Sequence, residues 1–257
     1  MSKYFRIQLL LMAFLIIQPF AAHARESIKV TNGEWSPFMS PSLKHYGILS
    51  HIASEAMSEV DIEIEYGFYP WQRAYYLAKE GRWDATLGWA KTPEREEAFY
   101  FSAPIYQTQV VFFHLKTLNF DWASDADLKG INVGVMRGTY AEQKLRQIQN
   151  SGLGVLFQPV DTELQNFRKL KAARIDLVAV DKDVGLSVLE KHFQESERGR
   201  FTYHSLPFYS QTLHVLFSKK SRNGEKNLRR FNKGLEAIKE SDRLGLMWQK
   251  FRDNQYE

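Results

Sequence analysis

Apolar residues along this chain follow two periods that take turns. Short β-rich runs fall at 28–31, 62–68 and 85–87, and helical stripes fall between them at 48–57 and 71–79. In the first stripe Ile48, Leu49, Ile52, Ala53, Ala56 and Met57 share one face, as a helix lying on a sheet requires. The alternation restarts with a strand at 131–135, a helix opening at Thr139, a strand at 155–157, a helix from Thr162, a strand at 177–180 and a helix at 184–192. Strand and helix in turn predict an α/β fold, and the restart predicts two sheets rather than one. Two further extended apolar segments, 109–115 and 213–218, each follow a proline-bearing stretch (Ala103-Pro-Ile-Tyr106 and Leu206-Pro-Phe-Tyr209), and helices are predicted at about 226–240 and 242–253.

Two helix starts carry a capping signature, Thr139-x-x-Glu142 and Thr162-x-x-Gln165. In such a box the threonine oxygen accepts from a first-turn backbone N–H while the Glu or Gln reaches back toward the cap. The first follows Gly134-Val-Met-Arg-Gly138 directly, a strand-to-helix turn that presents the N–H groups of Gly138, Thr139 and Tyr140. Such a turn suits an anionic ligand group.

The ends and the composition narrow the setting. Residues 1–24 read as a secretory signal, with Lys3 and Arg6 ahead of an apolar run at 7–17 and a small-x-small site at Ala22-His23-Ala24. The run is too short to span a bilayer and is followed by Pro19, which favours cleavage over anchoring. The expected location is the periplasm. With no cysteine among 257 residues, a disulfide framework, thiolate metal sites, a lipidated N-terminal cysteine and thiol catalysis are all excluded. The formal charge is +4. Loss of Lys3 and Arg6 leaves about +2, too little to imply a nucleic-acid partner. The basic cluster at 226–233 (KNLRRFNK) lies in a helical stretch and reads as a solvated face.

The segment 81–106, GRWDATLGWAKTPEREEAFYFSAPIY, carries a resemblance. Its Gly81-x-x-Asp84 entry, Thr92-Pro-Glu-Arg95 turn and Phe101-Ser-x-Pro-x-Tyr106 exit resemble a ligand-gripping segment of the family 3 periplasmic solute-binding proteins, which mostly capture amino acids for import. The resemblance extends over essentially all of 28–251. It implies a two-lobed α/β fold of the type II periplasmic-binding-protein kind: lobe 1 from 25–108 and 213–257, lobe 2 from 109–212, with 109–115 and 213–218 as crossover strands. It also implies closure of the lobes around a small-molecule ligand.

Carried onto this sequence, the resemblance makes Arg95 the clamp for a ligand carboxylate, through two parallel N–H···O bonds. Without the motif, Arg95 would be read as a surface residue paired with Glu94, Glu96 or Glu97. Asp181, at the end of the Arg174-x-Asp176-x-x-x-x-Asp181 run, would accept from a ligand ammonium; the position equally suits a plain helix cap. Trp35 and Trp71 would be aromatic walls, although lone tryptophans are more often core, and Phe38 reads as packing. One departure is Gly88-Trp-Ala90-Lys91, where the family commonly places a serine hydroxyl. Arg73, Trp89 and Arg137 are candidates for a larger or more anionic ligand, each with an exterior alternative, which for Arg137 is the better reading.

No G-x-S-x-G elbow, P-loop, H-E-x-x-H or dinucleotide fingerprint occurs, and no cofactor is expected. The seven histidines are scattered; His45 and His51 are the nearest pair in sequence, on no common helix face, so no metal site is expected. The resemblance accordingly implies a non-enzymatic binding protein, expected as a monomer, that serves an ABC permease. Two alternatives remain open. One is a ligand-presenting subunit for a membrane sensor. The other is a cyclohexadienyl or arogenate dehydratase-like enzyme in which Asp181 or Glu142 acts as the acid.

Overall fold

The computed structural model describes residues 26–256, so the signal predicted over 1–24 lies outside the described residues. The first strand, β1 (Glu26–Asn32), pairs in parallel with β2 (Ile62–Phe68) and with β3 (Ala85–Ala90). A second parallel set is built from β6 (Asn132–Met136), flanked by β7 (Leu156–Val160) and β8 (Leu177–Asp181). Between the sets run two long antiparallel strands, β5 (Tyr106–Leu115) and β10 (Tyr209–Ser218), with the short β4 (Phe99–Phe101) on β10 and β9 (Phe201–Tyr203) on β5.

The two predicted sheets are in fact one. Hydrogen bonding runs without a break in the order β2-β1-β3-β10-β5-β8-β6-β7. The cause lies at the start of the crossover strands, which begin three or four residues earlier than their apolar runs because they pair with each other, from Tyr209↔Val110 to Leu213↔Tyr106. Residues 106–109 and 209–212 are largely polar, so hydrophobic period does not reveal them as strand.

Burial explains the remaining pattern. The helix α1 (Ile48–Ser58) buries Ile48, Leu49, Ile52, Ala53, Ala56 and Met57, the predicted stripe, against strands of the first half and the helix α8 (Gly224–Glu240). In β5 the run Val110-Val-Phe-Phe113 is apolar throughout because both faces of the sheet are covered: Val110 and Phe112 join one cluster, Val111 and Phe113 another. The second half is flanked by α4 (Tyr140–Asn150), α5 (Glu163–Lys171) and α6 (Lys182–His192). The chain closes with α9 (Arg243–Arg252), whose Phe251 stacks at 5.4 Å on the fully buried Phe38. Phe38 is thus packing, as read. Among the described residues no helix is long and apolar enough to cross a membrane.

His45 and His51 share no helix face, yet their rings meet. His45 sits in a 3-10 turn, Lys44–Tyr46, with φ 52°, and the turn folds its ring onto His51 at 4.0 Å and 7° between planes. Helical spacing does not apply across such a turn. His51 shares a 2.6 Å hydrogen bond with the Tyr256 hydroxyl, and burial, then the neighbouring positive groups, push it down to about 4. Among the described residues no cluster of three His, Cys, Asp or Glu side chains suits a metal ion.

Candidate functional site

In the first half, the site is built on the loop after β3. Thr92 caps the short helix α3 (Pro93–Ala98), its Oγ1 accepting from the Arg95 backbone N–H at 3.3 Å, with Pro93 in the first turn where its missing N–H costs nothing. This cap sets where the Arg95 side chain leaves the backbone. The guanidinium turns back over the Trp89 ring, 4.8 Å from its centroid, and its Nη1 donates to the Ala90 carbonyl at 2.7 Å. It forms no ion pair among the described residues. Glu96, one of the surface partners considered for it, pairs with Lys91 at 2.7 Å instead. Arg95 is half-buried, and that burial pulls its pKa below the ordinary arginine range. A half-buried cation with most of its donors unused is a group equipped for an anion.

Trp71 stands beside it. Its ring meets Trp89 edge-on at 5.2 Å and lies so close to Gly33 that a Cβ there would come within 2.2 Å of the indole. Only glycine lets the ring settle on the end of β1. The Trp71 Nε1 donates to the Glu34 carbonyl at 3.3 Å. Trp89 donates through its own Nε1 to Thr86 Oγ1 at 2.9 Å and contacts Tyr75 at 5.3 Å; the Tyr75 hydroxyl is buried with no partner among the described residues.

Glu34 also belongs to the second part of the site, a cavity of about 510 Å³ between the loop Glu34-Trp35-Ser36-Pro37 and the carboxyl ends of β6 and β8. Trp35, Thr139 and Asp181 all line it, so three of the residues picked from sequence converge here. Trp35 is held by a backbone bridge to Met39 and by ring contact with Phe38 at 4.5 Å.

Asp181 is 6% exposed, caps its helix and lines the cavity. Its Oδ1 caps α6 by accepting from the Asp183 N–H at 3.0 Å, its Oδ2 accepts from the Gln109 N–H at 3.1 Å, and the Tyr106 hydroxyl bonds Oδ1 at 3.1 Å. Burial first, and the charge of Asp183 second, push Asp181 up to about 6 despite these donors.

The other picked residues are arranged differently. The Gly138 N–H, expected to meet a ligand anion, is taken by Glu142 Oε2 at 2.7 Å, and Glu142 is in turn paired with Arg146 at 2.6 Å. The capping box is thus displaced by one residue, its acid reaching the residue before the cap; Gln165 does the same, accepting from the Asp161 N–H at 3.2 Å. The N–H of Gly138 holds the Glu142 pKa below the usual carboxylate range, with Arg146 acting in the same direction. Thr139 caps α4 through Oγ1, which accepts from the Glu142 N–H at 3.3 Å. Tyr140 is 52% exposed and packs on Tyr209, itself in the cavity wall, at 4.7 Å. Arg73 is exposed and lies over Tyr69 at 5.3 Å, away from the cavity wall; Arg137 pairs with Asp161 at 3.1 Å.

Sequence reasoning passed over Tyr209 and Glu163, which line the cavity, and over Tyr106, which hydrogen-bonds Asp181. The tyrosines had a signal: each ends a Pro-x-Tyr opening a crossover strand, and both lie near Asp181. Glu163 had none. It lines the cavity at the start of α5, accepts from Asn166 Nδ2 at 3.0 Å, and burial pushes it up to about 7.

Solved structures share this architecture. An amino acid ABC transporter substrate-binding protein, AbpA, from Streptococcus pneumoniae, solved bound to L-arginine, superposes with a TM-score of 0.67 at 19% identity, covering 90% of this chain and 96% of that one. An ancestral cationic amino acid solute-binding protein gives 0.71 at 19% identity, over 88% and 95%. A histidine kinase sensor domain similar to periplasmic binding proteins gives 0.66 at 18% identity, over 88% and 96%. At such identities the likeness shows the fold, that of the type II periplasmic binding proteins with two crossover strands. Residues 28–253 match the family described as bacterial extracellular solute-binding proteins, family 3. With a match over nearly the whole described length, the chain belongs to that family.

Proposed function

We propose that this protein captures an amino acid or a related small carboxylate in the periplasm and delivers it to an ABC permease. The observation that carries the reading is a pair of opposite charges held by the two halves. The first half holds Arg95, a half-buried cation with no ion pair among the described residues; the second holds Asp181, a buried carboxylate at a strand end that lines the cavity. A ligand bearing both a carboxylate and an ammonium complements the pair, and contact with both sides would favour the closed arrangement of lobes 25–108 with 213–257 and 109–212. Trp35, Trp71 and Tyr140 would bound the side chain. Neighbouring proteins of this fold bind L-arginine and L-glutamate. Calorimetry of the mature protein against amino acids, their deaminated analogues and small carboxylates tests this. Saturable one-to-one binding of an amino acid is expected, and binding of none of them sinks the reading.

A second reading draws on Asp181 near 6 and Glu163 near 7 in one cavity, since two protonatable carboxyls are what an acid-assisted elimination needs. A neighbour of this fold is described as a precursor of cyclohexadienyl dehydratase. Formation of an aromatic product from prephenate or arogenate by the purified protein, lost in Asp181→Ala, would establish that reading over simple binding.

A further inference from the structure

Helix α6 separates two cavities. Val184, Val188 and Asp181 at its start face the one already described, while Leu186, Leu189 and Glu190 face another of about 720 Å³ on the opposite side, with Ser187 and Pro37 common to both. The second cavity also bridges the two halves of the sheet. Phe113, Leu186, Leu189 and Tyr203 form its wall from one half, and Leu43 and Phe251 its wall from the other.

The walls are apolar and firmly placed. Phe113 is 1% and Leu189 6% exposed, and Phe251 is anchored on Phe38. Leu186, by contrast, is an apolar lining residue that is 42% exposed. The charged groups sort by whether they are already engaged. Arg198 pairs with Glu190 at 2.6 Å, and Asp183 Oδ2 accepts from the Tyr106 hydroxyl at 3.0 Å. Lys116 and Arg252, which come from opposite halves and both line the cavity, have no ion pair among the described residues. Two cations thus stand against one carboxylate, Asp183, that likewise has no ion pair among the described residues, so the balance of charge left at this apolar space is positive.

We propose that this second cavity binds an amphipathic anion, an apolar body carrying one acid group, with the body against Phe113, Leu186 and Phe251 and the acid group toward Lys116 and Arg252. The volume lies within the range of small-molecule sites, and an apolar wall with a few convergent polar groups is their usual make-up. Because the occupant touches both halves, its binding is coupled to that in the first cavity across the shared wall of α6 and Pro37. The coupling is reciprocal.

The probe is 8-anilinonaphthalene-1-sulfonate, itself an amphipathic anion, titrated into the folded mature protein. Saturable one-to-one binding is expected, displaced by decanoate and not by decylamine. Leu186→Glu, and separately the pair Lys116→Glu with Arg252→Glu, should each raise the dissociation constant at least tenfold. All three positions are exposed or partly so, and circular dichroism checks that the variants fold. Absence of saturable binding, affinity untouched by either set of changes, or equal displacement by decylamine would overturn the proposal.

Discussion

The two halves of the molecule hold opposite kinds of candidate group. In the first half, Arg95 is held by local structure: a Thr92 cap, one bond to Ala90 five residues away, and the face of Trp89. In the second, Asp181 has one local donor, the Asp183 N–H of its cap, and is otherwise held by distant structure: Gln109 and Tyr106, 72 and 75 residues away, supply the rest. The difference decides their electrostatics. Arg95 keeps unused donors and is depressed only by burial, whereas Asp181 is well supplied with donors and is still raised, because burial and the adjacent Asp183 outweigh them. The arginine side is ready for an anion; the aspartate side offers full charge only above about pH 6.

If this asymmetry governs recognition, Arg95→Ala has the largest effect. Removing the charged partner of a desolvated carboxylate costs on the order of 2–5 kcal/mol, or about 30-fold to several thousand-fold in affinity. Calorimetry on a folded variant checks this, and unchanged affinity would return Arg95 to the surface. Asp181→Asn should follow. It weakens an ammonium-bearing ligand far more than the deaminated analogue, and equal losses would leave Asp181 with its capping role alone. In the wild type, the ammonium ligand must displace a proton from Asp181 below about pH 6, so its affinity should fall by up to about tenfold per pH unit on acidification there. A flat profile from pH 5 to 7 would contradict this.

A smaller effect concerns stability. The folded Glu163 carboxyl is raised from 4.5 to about 7, so the folded state holds more protons than the unfolded one between those values. Its contribution is fully present below 4.5 and is lost as pH rises through about 7. Glu163→Gln should remove that decline, so the variant gains on the wild type across the window; denaturant melts at pH 4.5 and 7.5 measure it. A constant difference between the two proteins would place Glu163 in solvent. Smallest of all is Arg73→Ala. An exposed arginine stacked on Tyr69 should change ligand affinity by less than about twofold, the scale of ordinary surface substitutions. A tenfold loss would bring Arg73 into the cleft and shift the cationic side of the site outward.

Much of this was legible in the chain because it depends on near neighbours. The stripe from Ile48 to Met57, the caps at Thr139 and Thr162, and the Thr92-Pro-Glu-Arg95 turn are set by residues within a few positions of one another, so period and residue type report them directly. Asp181 was found at the junction of an apolar run and a helix for the same reason. Other features depend on which distant surfaces meet. Polar segments 106–109 and 209–212 become strand only by pairing with each other and so join two predicted sheets into one. Glu163 is buried where it lines the cavity, and Asp181 takes donors from Gln109 and Tyr106. Burial and hydrogen-bond competition arise only when the chain has folded. Local pattern states which face a side chain takes, whereas the partner waiting on that face is set by packing between segments far apart in sequence.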